Sequence, residues 1–198
     1  MSSLNGLVLA GGRSSRMRED KAALAYRGRP QLELAFGLLG PFVSRAWISV
    51  REDQRDDPLR AGYPQIVDGP GIAGPIAGII AAQAACPLAA WLVVACDLPF
   101  LDSTTLAELL AGRDTARLAT AFRSAADGLP EPLCAIYEPA SREAILQFVA
   151  SGVACPRKFL IAHDVALLQP ASPSALANAN TPEELAAARR ALGVQESA

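Results

Sequence analysis

The sequence predicts an α/β protein, a three-layer α/β/α sandwich whose mostly parallel sheet gains a small antiparallel piece in the C-terminal half. Two observations carry that expectation. Short runs rich in β-branched and apolar residues recur at 6–9, 46–50, 65–67 and 92–95, the pattern of buried parallel strands. Between them lie helix-length stretches at about 31–40, 74–84 and 103–111, each long enough for a crossover. After residue 112 the rhythm changes: 118–122 and 133–137 read as two strands joined by the turn-rich Ser124-Ala-Ala-Asp-Gly-Leu-Pro-Glu-Pro132, which supplies the antiparallel piece. Helices follow at about 139–150 and 182–192. The second opens with Thr181 as N-cap, Pro182 at the first helical position and Glu183 and Glu184 in the first turn.

At 198 residues the chain suits one domain, with a frayed tail over 195–198. Half of it (51%) is hydrophobic and only 19% is charged, which predicts a packed core and not disorder. A net charge of −2 gives no basic field for a nucleic-acid backbone, so no nucleic-acid partner is expected. No apolar run approaches the roughly 20 residues of a membrane span. The start, Met1-Ser-Ser-Leu-Asn-Gly6, lacks the basic and apolar regions of a secretory signal, so a cytoplasmic protein without membrane attachment is expected. Cys86, Cys96, Cys134 and Cys155 stand far apart, and His163 is the sole histidine. That spacing argues against structural zinc and for buried, reduced thiols; a metal here should be a hard ion held by oxygen.

Three segments carry chemistry. The first strand runs into Ala10-Gly11-Gly12, where missing side chains let backbone N–H groups approach a phosphate or a base edge. Arg13, Arg16, Arg18 and Lys21 outnumber Glu19 and Asp20 just beyond, so the segment from Leu9 to Lys21 attracts an anion; Arg16 and Lys21 are placed on a triphosphate. The competing reading is a solvated basic loop. Val94-Ala-Cys-Asp97-Leu-Pro-Phe-Leu-Asp102 then delivers one carboxylate at a strand's C-terminal end, where open α/β sheets bind ligands and where Asp97 is a natural Mg²⁺ ligand. Asp102 is read as the cap of the helix starting at Ser103. Finally, Asp68-Gly-Pro-Gly-Ile-Ala-Gly-Pro-Ile-Ala-Gly78 is a Gly/Pro loop opening a helix, and Asp68 either accepts the N1–H and N2 amino protons of a guanine or caps the loop.

These segments, in this order, resemble the molybdenum cofactor guanylyltransferase family, within the larger group of nucleotidyltransferases with a Rossmann-like sheet. Besides the Leu9–Lys21 segment, the matching blocks are Asp68 with Gly74-Pro-Ile-Ala-Gly78, Cys96-Asp-Leu-Pro-Phe-Leu101 and Asn178-Ala-Asn180-Thr-Pro-Glu-Glu-Leu185, with Pro132-Leu-Cys-Ala-Ile-Tyr137 a fainter fifth. The resemblance implies GTP bound by the backbone at Leu9, Ala10, Gly11 and Gly12, phosphates met by Lys21, guanine read by Asp68 and Mg²⁺ held by Asp97. It also implies a molybdopterin acceptor near Asn178 and Asn180, a nucleotide-binding half over 1–112 and an acceptor-binding half over 113–194. Transient contact with molybdoenzymes or cofactor chaperones belongs to the same expectation. Arg157 and Lys158 are adjacent cations for the acceptor's phosphate or molybdate end, or a solvated surface pair. Two positions depart from the family: Arg18 stands where Gly is common, which either strains the loop or adds a phosphate contact, and Arg51 stands where an Asn is frequent.

The expected reaction transfers GMP from GTP to the terminal phosphate of molybdopterin. That phosphate is already ionised, so neither a catalytic His nor a Ser-His pair is needed. The alternatives are a molybdopterin cytidylyltransferase, a nucleotidyltransferase for a sugar or alcohol phosphate, and a non-catalytic nucleotide-binding module that delivers cofactor.

Overall fold

A computed structural model describes residues 3–12, 20–26, 28–179 and 181–192. Along the chain run strands β1 (Leu4–Leu9), β2 (Ala25–Tyr26) and β3 (Arg29–Pro30), helix α1 (Gln31–Leu39), β4 (Ala46–Val50), β5 (Gln65–Val67), α2 (Pro75–Ala85), β6 (Ala90–Ala95) and α3 (Ser103–Ala111). They are followed by β7 (Ala119–Arg123), β8 (Pro130–Tyr137), α4 (Ser141–Ala150), α5 (Pro156–Ala162), β9 (Ala166–Leu168) and α6 (Pro182–Ala191). Seven strands form one sheet in the order β5-β4-β1-β6-β8-β7-β9, while β2 and β3 pair as a separate ribbon. Within the seven-stranded sheet β8 alone runs against its neighbours β6 and β7 and the other pairings are parallel; the β2–β3 ribbon is antiparallel.

The three layers follow from strand periodicity. Successive side chains on β1 enter opposite faces: Val8 packs with α1 and α3 residues such as Leu32, Leu39, Leu106 and Leu109, and Leu7 packs with Ile76, Ile79, Ile145 and Phe159 from α2, α4 and α5. A strand covered on both faces must be apolar throughout, and all six residues of β6 are buried. α6 packs apart, with Leu185 and Ala188 against Leu24 and Ala179.

The mostly parallel sheet, its antiparallel piece and the helices on both faces agree with the sequence expectation. Asp102 caps α3, accepting hydrogen bonds from the N–H and hydroxyl of Thr105 at 2.8 Å each. Thr181 caps α6 in a reciprocal box with Glu184. The sequence reading did not foresee the β2–β3 ribbon, α5 or β9. Each spans seven residues or fewer, too short for apolar periodicity to accumulate. Two of the thiols expected to be buried, Cys86 and Cys155, are partly exposed, whereas Cys96 and Cys134 are buried. No helix among the described residues is long and apolar enough to cross a membrane. The expected frayed tail lies outside the described residues.

Candidate active site

Register places the site. Leu9 stands opposite Ser49 of β4 and Ala95 of β6, so β1, β4 and β6 end level with one another. The residues that follow, Gly11, Arg51 and Asp97, therefore emerge along one edge of the sheet. The chain leaves β1 toward β4 on one side and later adds β6 on the other, which opens a crevice at the strand ends where the order reverses.

On one wall of this crevice stands the glycine turn. Ala10 is buried, and its N–H donates to the Ser49 carbonyl at 3.1 Å. Gly11 follows so close to its neighbours that a Cβ would lie 3.2 Å from Asp68 Oδ2 and 3.5 Å from the Arg51 nitrogen, whereas Gly12 faces open space. A side chain at Gly11 would therefore press on the Asp68 carboxylate, which would have to give way by a few tenths of an ångström. Arg51 donates from Nη1 to the Gly11 carbonyl, while its Nε and Nη2 fork onto Asp53 at 2.9 Å each.

Asp68 sits beside this turn. Ser49 Oγ donates to its Oδ1 at 2.6 Å, and its own N–H donates to the Val50 carbonyl at 2.8 Å. Burial raises the Asp68 carboxyl above the ordinary carboxylate range, against the lowering pull of the Ser49 hydrogen bond and the Arg51 charge. Gly78 of α2 makes room for this pair: a methyl group there would overlap Ser49 Oγ and stand 2.9 Å from Leu9 Cδ2. Gly74 caps the same helix at φ +85°, a left-handed conformation that side chains resist.

Across the crevice, β6 delivers Asp97. Lys21 Nζ lies 3.0 Å from Asp97 Oδ2, and both side chains are only 20% exposed. The other oxygen, Oδ1, is buried and has no hydrogen-bond partner among the described residues. A buried carboxylate oxygen without a donor is costly unless a cation meets it. That orphaned oxygen fits a hard divalent ion, and Asp97 would be its protein ligand. No group of three His, Cys, Asp or Glu side chains surrounds a common point among the described residues.

From Asp97 a cleft of about 290 Å³ extends toward the C-terminal half, bounded by Leu98, Glu131, Pro132, Cys155, Arg157 and Asn178 among others. The Ala179 N–H holds this wall to the Asp97 carbonyl at 3.3 Å. Arg157 is not poised as an uncompensated cation: its Nη1 donates to Asp127 at 3.0 Å and its Nη2 to Glu131 at 2.9 Å. Lys158 is exposed on α5 and does not line the cleft. Two anticipated site residues, Arg16 and Asn180, lie outside the described residues, as do Arg13 and Arg18. The structure thus gathers Gly11, Lys21, Asp68 and Asp97 around one crevice and brings Arg157 and Asn178 to the adjoining cleft.

Sequence reasoning missed Arg60. Its side chain is 1% exposed, and it binds the carbonyl of Ala10 and the carboxylates of Asp20 and Asp57. Nothing in the local string Asp57-Pro-Leu-Arg60 marks it, since an arginine after a Pro in a charged loop ordinarily reads as solvated. Ser49 was also overlooked, although a lone hydroxyl inside the apolar run Ala46-Trp-Ile-Ser-Val50 calls for a polar partner.

An open, mostly parallel sheet whose strand-end crevice collects a glycine turn, a lysine and a half-satisfied carboxylate defines a nucleotide-binding α/β protein. Comparison with known proteins narrows the class: the MobA-like NTP transferase domain family matches residues 6–167, and the chain belongs to that family. The molybdenum cofactor guanylyltransferase of Pseudomonas fluorescens (strain SBW25) is 37% identical over 186 residues, covering 90% of this chain and 90% of that protein. A molybdenum cofactor biosynthesis bifunctional protein of Synechocystis is 35% identical over 181 residues, 91% of this chain; the chain spans about half, 52%, of that relative's length. The crystal structure of molybdopterin-guanine dinucleotide biosynthesis protein A from Archaeoglobus fulgidus shares the fold, with a TM-score of 0.80 at 22% identity over 96% of this chain and 100% of that one.

Proposed function

We propose that this protein transfers GMP from GTP to the terminal phosphate of molybdopterin, releasing pyrophosphate. The observation that carries the proposal is Asp97, with one oxygen on Lys21 and the other buried and without a partner among the described residues, at the seam between the glycine turn and the 290 Å³ cleft. The nucleotide is assigned to residues 1–112 and the acceptor to 113–194 of a single domain. Gly11 and Gly12 meet the nucleotide by backbone, Lys21 its phosphates and Asp68 its guanine edge, while Asn178 contacts the acceptor. Glu131 and Arg157 line the acceptor cleft as a neutralising pair, so Arg157 gives it shape more than net charge.

An acceptor phosphate oxygen attacks the α-phosphorus in line; one P–O bond forms as the bond to the pyrophosphate oxygen breaks, and no proton is transferred. The chain's own residues then have two tasks, to align the reactants and to neutralise the leaving group. Asp97 would hold Mg²⁺, which would supply charge neutralisation at the phosphates. Lys21, held by Asp97 before the nucleotide arrives, has a short path to the pyrophosphate oxygens. A cytoplasmic setting fits a reaction between two soluble anions.

The test is incubation of purified protein with molybdopterin, Mg²⁺ and each of the four NTPs, with mass analysis of the product. The expected product is the guanine dinucleotide with pyrophosphate in equal amount. A cytosine dinucleotide, or no pterin product at all, overturns the assignment.

A further inference from the structure

Arg60 is a buried cation that the reaction outlined above does not use. A guanidinium carries its N–H donors in a planar fork, and all three nitrogens of Arg60 donate to acceptors. Nε lies 3.3 Å and Nη2 3.0 Å from the Ala10 carbonyl. Nη2 also reaches Asp20 Oδ1 at 2.9 Å, and Nη1 reaches Asp20 Oδ2 at 2.7 Å and Asp57 Oδ1 at 3.1 Å. Burial opposes the Arg60 charge, but the hydrogen bonds and charges of Asp20 and Asp57 outweigh it and raise its pKa.

Two of these partners bracket the anion-binding segment. Ala10 lies between the end of β1 at Leu9 and Gly11, and Asp20 immediately precedes Lys21. Asp20 also shapes the turn that carries Lys21: its Oδ1 accepts from the Ala22 N–H at 3.0 Å and its carbonyl from the Ala23 N–H at 2.9 Å. One planar group therefore fixes where the segment leaves the sheet and where it returns with its lysine. It also neutralises Asp20, an anion that would otherwise repel a triphosphate beside Lys21.

We propose that Arg60 is a positioning residue for the triphosphate, tying Ala10 to Asp20 so that Lys21 is presented to the nucleotide's phosphates. This rests on the nucleotidyl-transfer reading above. Because the clamp acts on the phosphate end and Asp68 on the base, loss of the clamp weakens a nucleoside triphosphate without weakening the nucleoside. A residue that merely held the fold together would move both affinities alike.

The experiment compares the parent with Arg60→Lys, which keeps the charge but lacks the fork, and Asp20→Asn, which loosens the same grip from its more exposed partner. For each, the dissociation constant of GTP, the inhibition constant of guanosine and the kinetics of turnover are measured. The expected result is a rise of about tenfold in both Kd and KM for GTP, the scale of a weakened charge-assisted contact, with guanosine changed less than about twofold. Thermal melting monitors the fold, and if Arg60→Lys fails to fold, Asp20→Asn decides alone. Parent-like GTP affinity in a folded variant, or equal losses for GTP and guanosine, overturns the proposal. A parent that turns over a different NTP overturns only the choice of guanine, and the same triphosphate-to-nucleoside ratio is then taken with that base. A parent that binds no NTP overturns both readings.

Discussion

Two arginines illustrate the difference between the ends of this sheet. Arg60 lies at the strand-end crevice. Arg113 follows α3 and forks onto Glu138 at 2.6 and 2.8 Å. Glu138 directly follows Tyr137, whose partner Trp91 lies at the opposite end of β6 from Asp97. Arg113 and Glu138, 15% and 3% exposed, join a helix end to a strand end through an ion pair. That is a neutral staple for the scaffold. Arg60 instead meets a carbonyl and two carboxylates that are each more than a third exposed, and it does so beneath residues aimed at a ligand. The same side-chain chemistry closes the fold at one end and aligns a ligand-binding segment at the other, because only at the second do its partners lead into open space.

The comparison is tested first where the effect is largest. Arg113→Met leaves Glu138 charged and buried, and the expected loss of folding stability is about 3–5 kcal/mol, read as a lower denaturant midpoint. Turnover per folded molecule should equal the parent's. A fall in turnover at matched folded fraction would erase the distinction between the two ends. Asp97→Asn should do the reverse: the phosphates lose their metal-binding carboxylate, and turnover drops by roughly a hundredfold or more while the denaturant midpoint moves less than for Arg113→Met. Near-parental kinetics in a folded Asp97→Asn protein would remove Asp97 from the chemistry.

The smallest effect concerns Asp68 and has a pH sign. Burial holds its carboxyl above the ordinary range, so the folded protein takes up this proton more readily than the unfolded chain. The linked stabilisation is fully present below the unfolded pKa and is lost as pH rises through the folded pKa. Asp68→Asn escapes that loss while keeping an acceptor for Ser49, so at neutral pH its melting temperature is expected to be no lower than the parent's. Its preference for GTP over CTP should fall about tenfold or more, since a two-point contact to a base edge contributes about 1–3 kcal/mol of discrimination. Retained preference would assign guanine reading to other groups; a lower melting temperature would mean that the charge of Asp68 is structurally needed.

Much of this site was legible because its elements are local. The apolar run of β6 ending in a carboxylate, the paired glycines after β1 and the Asp102 and Thr181 caps each depend on neighbours within a few residues, where periodicity and backbone sterics act directly. Sequence alone also set the order of these segments, and hence the family. Only the tertiary structure decided what spans long separations. Arg60 reaches Ala10 fifty positions away, and Lys21 reaches Asp97 across seventy-six. It likewise cast Arg157 as the partner of Asp127 and Glu131, and left one oxygen of Asp97 buried with no partner among the described residues. The physical reason is that a charge's role is set by its surroundings: an arginine is a solvated loop residue or a buried clamp according to which acceptors the fold brings within about 3 Å, and no local pattern of side chains encodes that.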